Sequence, residues 1–215
     1  ATTLLYTYLM SRSANVICYI PDRADEGYGM NIPSVQKLDG MGVGLIITVD
    51  NGINALEEIK EAKSRGISVV VTDHHIPAGD LPEADAVVDP HRKDCGSEFK
   101  ELSGVGVAFK LICALENKEP EELLPQYADL VAIGTVADVM PLVGENRVFV
   151  REGLLYINNT SRIGLSALIE ASGLADKQLN AGNLAFNISP RINAAGRMGD
   201  AMRAVKLLCA DTAET

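Results

Sequence analysis

Three segments of this 215-residue chain carry acids and imidazoles at positions where they could hold a metal ion. Asp50 ends the apolar run GLIITVD. Asp73 ends the apolar run SVVVTD, and His74 and His75 follow it directly. Asp138 lies in the apolar segment GTVADVMPL, where an isolated buried charge would cost several kcal/mol. Carboxylates combined with neutral imidazoles favour Mn²⁺, Zn²⁺ or Fe²⁺ over Ca²⁺.

The spacing of Asp50 and Asp73 predicts that both acids lie at one edge of a sheet. They are 23 residues apart (73 − 50), which is one strand–helix–strand repeat. Ligands bind at the carboxyl ends of the strands in open α/β sheets. The alternative is a strand-end Asp that caps a turn, beside solvated histidines. Asp89 and His91, in VVDPHR, could add to the site, or His91 could be a surface residue.

The surrounding elements indicate an α/β fold. Near-continuous apolar runs are typical of a parallel sheet with helices on both faces. These runs lie at 44–50, 68–73 and 85–90, with a shorter β-like run at 15–20. Helix-like segments lie at 1–12, 33–41, 54–66, 104–117, 120–139, 146–159, 164–173 and 200–210. We therefore expect an α/β part at 1–103 and a mostly helical continuation of the same domain at 104–215.

A polar segment at 186–199, FNISPRINAAGRMG, is predicted to be a loop that faces the substrate. Arg191 and Arg197 flank Asn193 there, and guanidinium groups match phosphate oxygens bidentately. The alternative is an ordinary connection between helices with surface arginines. A second, weaker candidate is PDRADEGYGM, which contains Arg23. The GVGVAF segment favours helix packing over a nucleotide loop, because no strand precedes it.

Composition excludes several classes of protein. The chain has 29 acidic and 19 basic residues and a net charge of −10, so no basic surface for nucleic acid covers the whole chain. No run of 18 apolar residues is present, and we expect no membrane partner. The four cysteines are scattered, which indicates reduced thiols and a cytoplasmic location.

Together, these segments resemble the DHH phosphoesterase superfamily and, within it, the RecJ family. The superfamily resemblance rests on TVDNG, VTDHH and GTVADVMPL, in that order. The narrower resemblance rests on PDRADEGYGMN, LSGVGVAFKL and SPRINAAGRMGDA. Superfamily members hydrolyse phosphodiesters or phosphoanhydrides with a divalent metal, usually Mn²⁺. RecJ enzymes degrade single-stranded DNA from 5′ to 3′ in recombination and repair.

The resemblance also implies roles for individual residues. It implies that Asp50, His74 and Asp138 are metal ligands, with Asp50 bridging two ions. His75 would contact the scissile phosphate or assist proton transfer, and Asp73 would be a ligand or would orient one. The substrate phosphate would be faced by Arg191, Asn193 and Arg197.

The resemblance implies two-metal hydrolysis with Mn²⁺, or Mg²⁺, and single-stranded DNA as substrate. A single-strand-binding protein and a helicase are the expected protein partners. The family's first D-x-D-G motif and its C-terminal domains are not found, so we expect a core segment that could be inactive alone. One alternative is another DHH phosphoesterase that acts on short oligonucleotides or small phosphorylated nucleotides. The other is a non-catalytic DHH-fold protein that binds nucleic acid.

Overall fold

A computed structural model describes residues 1–21, 27, 29–197 and 201–212 of the chain. The strands are β1 (Leu45–Val49), β2 (Ser68–Thr72) and β3 (Ala86–Val88). The helices are α1 (Thr2–Ser11), α2 (Ile32–Gly40), α3 (Leu56–Ser64), α4 (Gly104–Glu116), α5 (Pro120–Ala137), α6 (Gly144–Asn158), α7 (Ile163–Ala171), α8 (Ala181–Asn183), α9 (Ser189–Arg197) and α10 (Met202–Leu208). A π-helical turn, Leu184–Ile188, joins α8 to α9.

The three strands form one parallel sheet in the order β1-β2-β3. Val49 is paired with Thr72, and Thr72 with Val88, so the carboxyl ends of all three strands meet at one edge. This arrangement confirms the predicted α/β fold and the shared edge of Asp50 and Asp73. It also places Asp89, directly after β3, at the same edge.

Helices cover both faces of the sheet, as the continuous apolar strands predict. Val69 and Val71 are fully buried against Val35 of α2 and Ile59 of α3. On the opposite face, Ile47 and its neighbours pack against the larger core that α1, α4, α5 and α6 share. Of the helices in the described ranges, none is long and apolar enough to cross a membrane.

The β-like run at 15–20 is not part of the sheet, contrary to the prediction. A cavity of about 490 Å³, lined by Ile17, Tyr19, Ile47 and Val49, separates this run from β1. No described strand pairs with residues 15–20, so they form no ladder and are not a strand. Among the described residues, β1 is therefore paired along one edge only, with β2.

The predicted loop at 186–199 is also wrong, because residues 186–197 are helical. Leu184 and Ile188 are fully buried and Ile192 packs beside them, so a spacing of four gives the segment one apolar face. Pro190 is the second residue of α9 and directly follows the π-helical turn, in which the N–H of Ser189 donates to the carbonyl of Leu184, so α9 continues that turn. Residues 198 and 199 lie outside the described ranges.

Candidate metal centre

Asp50 is turned into the edge of the sheet by a tight loop after β1. Its backbone N–H still donates to the carbonyl of Thr72, at 2.9 Å, but its φ is +65°. Two residues later, Gly52 has a φ of +106°, and a Cβ there would lie 2.6 Å from Thr48 Oγ1. The chain therefore reverses immediately after Asp50, which leaves its carboxylate at the strand end.

Asp73 links the loop that follows β1 to the loop that follows β2. Its Oδ2 accepts the N–H of Ile53 at 3.0 Å. Its Oδ1 accepts the N–H groups of His74 and His75 at 2.8 and 3.3 Å, and also lies 2.7 Å from His75 Nδ1. Both carboxylate oxygens thus have protein partners. The geometry favours the orienting role that the sequence left open for Asp73, rather than direct ligation.

His74 lies between the other two acids. Its Nε2 is 3.1 Å from Asp50 Oδ1 and 3.2 Å from Asp138 Oδ2. The His74 side chain is only 8% exposed. The structure therefore brings together Asp50, His74 and Asp138, the three residues predicted as metal ligands.

The donor atoms of this centre fit a divalent cation. Asp50 Oδ1 and His74 Nε2 are buried, and neither makes a contact with hydrogen-bond geometry in the described part of the chain. Buried polar atoms without partners are costly unless something else satisfies them. The ligand atoms of Asp50, Asp73, His74 and His75 also lie within 4.8 Å of one another. Imidazole and carboxylate donors at this spacing suit Mn²⁺ and related ions.

The pKa values of two groups in this centre are shifted. Burial lowers the pKa of His74, but its contact with Asp50 and the charges of the nearby acids outweigh burial, so the pKa is raised above 6.5. Burial raises the pKa of Asp138; the charge on His74 opposes this shift and that on Asp50 adds to it. Both shifts favour a proton on the metal-free centre.

We predict opposite pH dependences for the metal-free and Mn²⁺-bound protein. The pKa of His74 is raised on folding, so the positive charge on its imidazole stabilises the folded protein. This stabilisation is fully present below pH 6.5 and is lost as the pH rises through the pKa of His74 in the folded state. The melting temperature in chelator should therefore rise as the pH falls from about 9 to about 6. The increase in melting temperature that Mn²⁺ causes should instead become smaller as the pH falls over the same range, because the metal and the proton compete for the imidazole.

The control for this prediction is His74→Gln, studied by calorimetry under the same conditions. It separates His74 from the other groups that titrate in an acidic protein. If the variant retained the wild-type pH dependence in both conditions, the assignment to His74 would be wrong.

Gly104 is a residue of this centre that sequence reasoning missed. It is the first residue of α4, and a Cβ built on it would lie 2.2 Å from Asp50 Oδ1. The GVGVAF segment therefore begins a helix, as expected, and its first glycine makes room for the Asp50 carboxylate. A glycine directly after the N-cap residue Ser103 is the only hint of this role in the sequence.

We predict that Gly104→Ala weakens Mn²⁺ binding by at least about tenfold while the protein stays folded. The added methyl must displace Asp50, whereas alanine is well tolerated at the start of a helix. Gly106→Ala is the matched control, because the nearest atom to its new Cβ is the Leu102 side chain at 3.2 Å. Calorimetric titration with Mn²⁺ measures both variants. Equal affinities for the two would contradict the role of Gly104.

Asp138 and the residue after it form the end of α5. Asp138 is the C-cap, and Val139 follows with a φ of +55°. A β-branched residue in this left-handed conformation is an outlier that costs roughly 1–2 kcal/mol. Such strain is concentrated at functional sites, and here it adjoins a candidate metal ligand.

Asp89 and His91 border the centre without joining it. Asp89 is buried, its Oδ1 accepts the N–H of His91 at 2.6 Å, and burial raises its pKa. His91 Nδ1 lies 3.8 Å from the same oxygen, beyond hydrogen-bonding distance. Asp89 Oδ2 and His91 Nδ1 have no hydrogen-bond partner among the described residues. The observed contacts make Asp89 a cap for the turn after β3.

The predicted phosphate-binding residues are only partly described. Arg191 and Asn193 are exposed on α9, and Arg191 Nη1 donates to the carbonyl of Asn187 at 2.8 Å. In the described part of the chain, neither forms a hydrogen bond or ion pair with the metal centre. Arg197 ends α9, but its side chain lies outside the described structure, as does Arg23.

Comparisons with known proteins agree with this geometry. Residues 1–135 match the model of the DHH family, N-terminal domain. The chain is 46% identical over 211 residues to the single-stranded-DNA-specific exonuclease RecJ of Bacillus subtilis, covering 98% of this chain and 26% of that protein. For RecJ of Escherichia coli the identity is 40%, covering 98% of this chain and 39% of that protein.

A solved structure gives the same result. A crystal structure of exonuclease RecJ bound to manganese superposes with a TM-score of 0.87 and 41% identity, covering 99% of this chain and 54% of that one. The chain thus spans only part of the length of these relatives. With a family match over more than half of its residues, and with the family's acids and histidines gathered at one sheet edge, the chain belongs to the DHH family.

Proposed function

We propose that the complete gene product is an Mn²⁺-dependent exonuclease that degrades single-stranded DNA from the 5′ end. The observation that carries this proposal is the position of His74 Nε2 between Asp50 and Asp138, at 3.1 and 3.2 Å. A divalent cation held by these three side chains would act as a Lewis acid toward a phosphate oxygen. Mg²⁺ would be the alternative ion.

His75 is proposed to act on the substrate directly. Because Asp73 is a carboxylate acceptor, His75 Nδ1 donates to it, and the ring is fixed with Nε2 left for the substrate. The His75 side chain is 47% exposed, whereas His74 beside it is buried. One histidine of the pair thus faces the candidate ion, and the other is free to bind a phosphate oxygen or to move a proton.

Single-stranded DNA is the proposed substrate, on the basis of the relatives' names and of the positive charge of two arginines. The relatives at 40–46% identity are named as exonucleases specific for single-stranded DNA. Arg191, Asn193 and Arg197 are proposed to bind the phosphates of the strand, since guanidinium groups suit them. A helicase and a single-strand-binding protein are proposed partners, because a duplex must be opened before a single strand is available.

The test is a panel of substrates with the purified complete gene product and Mn²⁺. We expect rapid loss of a long single strand labelled at its 5′ end, with little degradation of the matching duplex or of a dinucleotide. Preferential cleavage of the dinucleotide would instead support the alternative that the protein is a DHH phosphoesterase acting on short oligonucleotides or small nucleotides. Mn²⁺ binding without any cleavage would support a non-catalytic nucleic-acid-binding protein.

A further inference from the structure

Val139 occupies a position that ordinarily belongs to glycine. The N–H of Val139 donates to the carbonyl of Val136 at 3.1 Å, and the N–H of Met140 donates to that of Thr135 at 3.3 Å. These two bonds form a Schellman motif, in which the residue after the C-cap adopts the left-handed conformation. The motif here is complete, with Val139 at a φ of +55°.

Other helix ends in the same chain follow the usual preference. The positive-φ residues after α2, α3 and α7 are Gly42, Gly66 and Gly173. The α4 helix ends on Asn117, and α1 is followed by Ser13, both with positive φ. Among the helix ends in the described ranges, only the one that carries Asp138 places a β-branched residue in this conformation.

Among the described residues, the Val139 side chain has little packing that would offset its strain, because it is 87% exposed. Ile76, the residue after His75, is likewise 73% exposed. Two exposed apolar residues thus directly follow, in the sequence, His75 and the candidate ligand Asp138; we call Ile76 and Val139 the apolar rim.

We infer that the apolar rim contacts the nucleoside of the nucleotide whose phosphate is held at the metal centre. This inference rests on the proposed exonuclease function and names two further residues that would determine specificity. A nucleotide joins an anionic phosphate to a sugar and base with apolar faces. The polar centre matches the first part, and the rim beside it matches the second. Inorganic phosphate has no part for the rim to contact.

The test compares Val139→Gly and Val139→Asn with wild type in the complete gene product. Both residues accept the left-handed conformation, so each variant should raise the melting temperature. Losing the valine contact should raise the inhibition constant of thymidine 5′-monophosphate about five- to twentyfold. The inhibition constant of inorganic phosphate and the affinity for Mn²⁺ should not change. Ser13→Gly is the control that relieves a positive φ elsewhere and should leave inhibition unchanged.

Several outcomes would overturn the inference. Unchanged inhibition by thymidine 5′-monophosphate would show that the rim does not touch the nucleoside. A parallel loss of Mn²⁺ affinity would mean that Val139 acts through Asp138 instead. A lower melting temperature would mean that Val139 is packed against another segment of the protein. Failure of the wild type to cleave single-stranded DNA with Mn²⁺ would instead refute the proposed function itself.

Discussion

Replacing His74 with alanine in the complete gene product is expected to abolish Mn²⁺ binding and, if the proposed function holds, to lower kcat/KM on single-stranded DNA by about a thousandfold or more, beyond the roughly 10–100-fold typical of residues that only support a ligand. The imidazole nitrogen lies within 3.2 Å of both Asp50 and Asp138. Without it, two carboxylates would face each other with no nitrogen donor between them, and their mutual repulsion would open the centre.

The matched control is His91→Ala, which removes a histidine from the adjoining strand end. His91 has no contact with the centre among the described residues, so this variant should bind Mn²⁺ as the wild type does. Calorimetric titration and a cleavage assay measure both proteins. Retention of Mn²⁺ binding by His74→Ala would show that the ion is held elsewhere.

Replacing Asp129 with alanine is expected to lower the free energy of unfolding by about 3–5 kcal/mol and the melting temperature by roughly 6–20 °C. Arg162 Nε and Nη2 lie 2.7 and 3.3 Å from the two oxygens of Asp129, and Nη1 donates to the carbonyl of Leu208 at 2.9 Å. The side chain of Arg162 is 18% exposed and that of Asp129 is 11% exposed. The variant would leave a largely buried guanidinium without its counter-ion.

The double variant Asp129→Ala/Arg162→Met should be less destabilised than the single variant, because no unpaired charge remains. Glu152→Ala is the matched control, since its partner Arg151 is 69% exposed and such pairs contribute little. Denaturant unfolding measures all three proteins. A loss below about 1 kcal/mol for Asp129→Ala would mean that the pair behaves like one at the surface.

The part of the site that could be predicted follows from the geometry of parallel sheets. Asp50 and Asp73 end neighbouring strands, so a spacing of one strand–helix–strand repeat suffices to bring them together. Asp138 could be predicted only as an acid in an apolar context. Its approach to His74 depends on how α5 packs against the sheet, and the resemblance to the family supplied that information.

The remaining features depend on packing that local sequence does not encode. Composition alone makes residues 186–197 look like a loop, whereas the buried face of Leu184 and Ile188 makes them helical. Residues 15–20 have strand propensity but pair with no other strand in the described part of the chain. Gly104 matters because Asp50 lies 2.2 Å from where its Cβ would be, and that contact spans 54 residues (104 − 50).

The central claim is that Asp50, His74 and Asp138 hold a metal ion. Anomalous diffraction at the manganese absorption edge, from crystals soaked in MnCl₂, tests this claim most directly. The predicted result is a strong anomalous peak within bonding distance of His74 Nε2 and of both carboxylates, absent from the His74→Ala protein. A peak at another site, with none between these three side chains, would contradict the account.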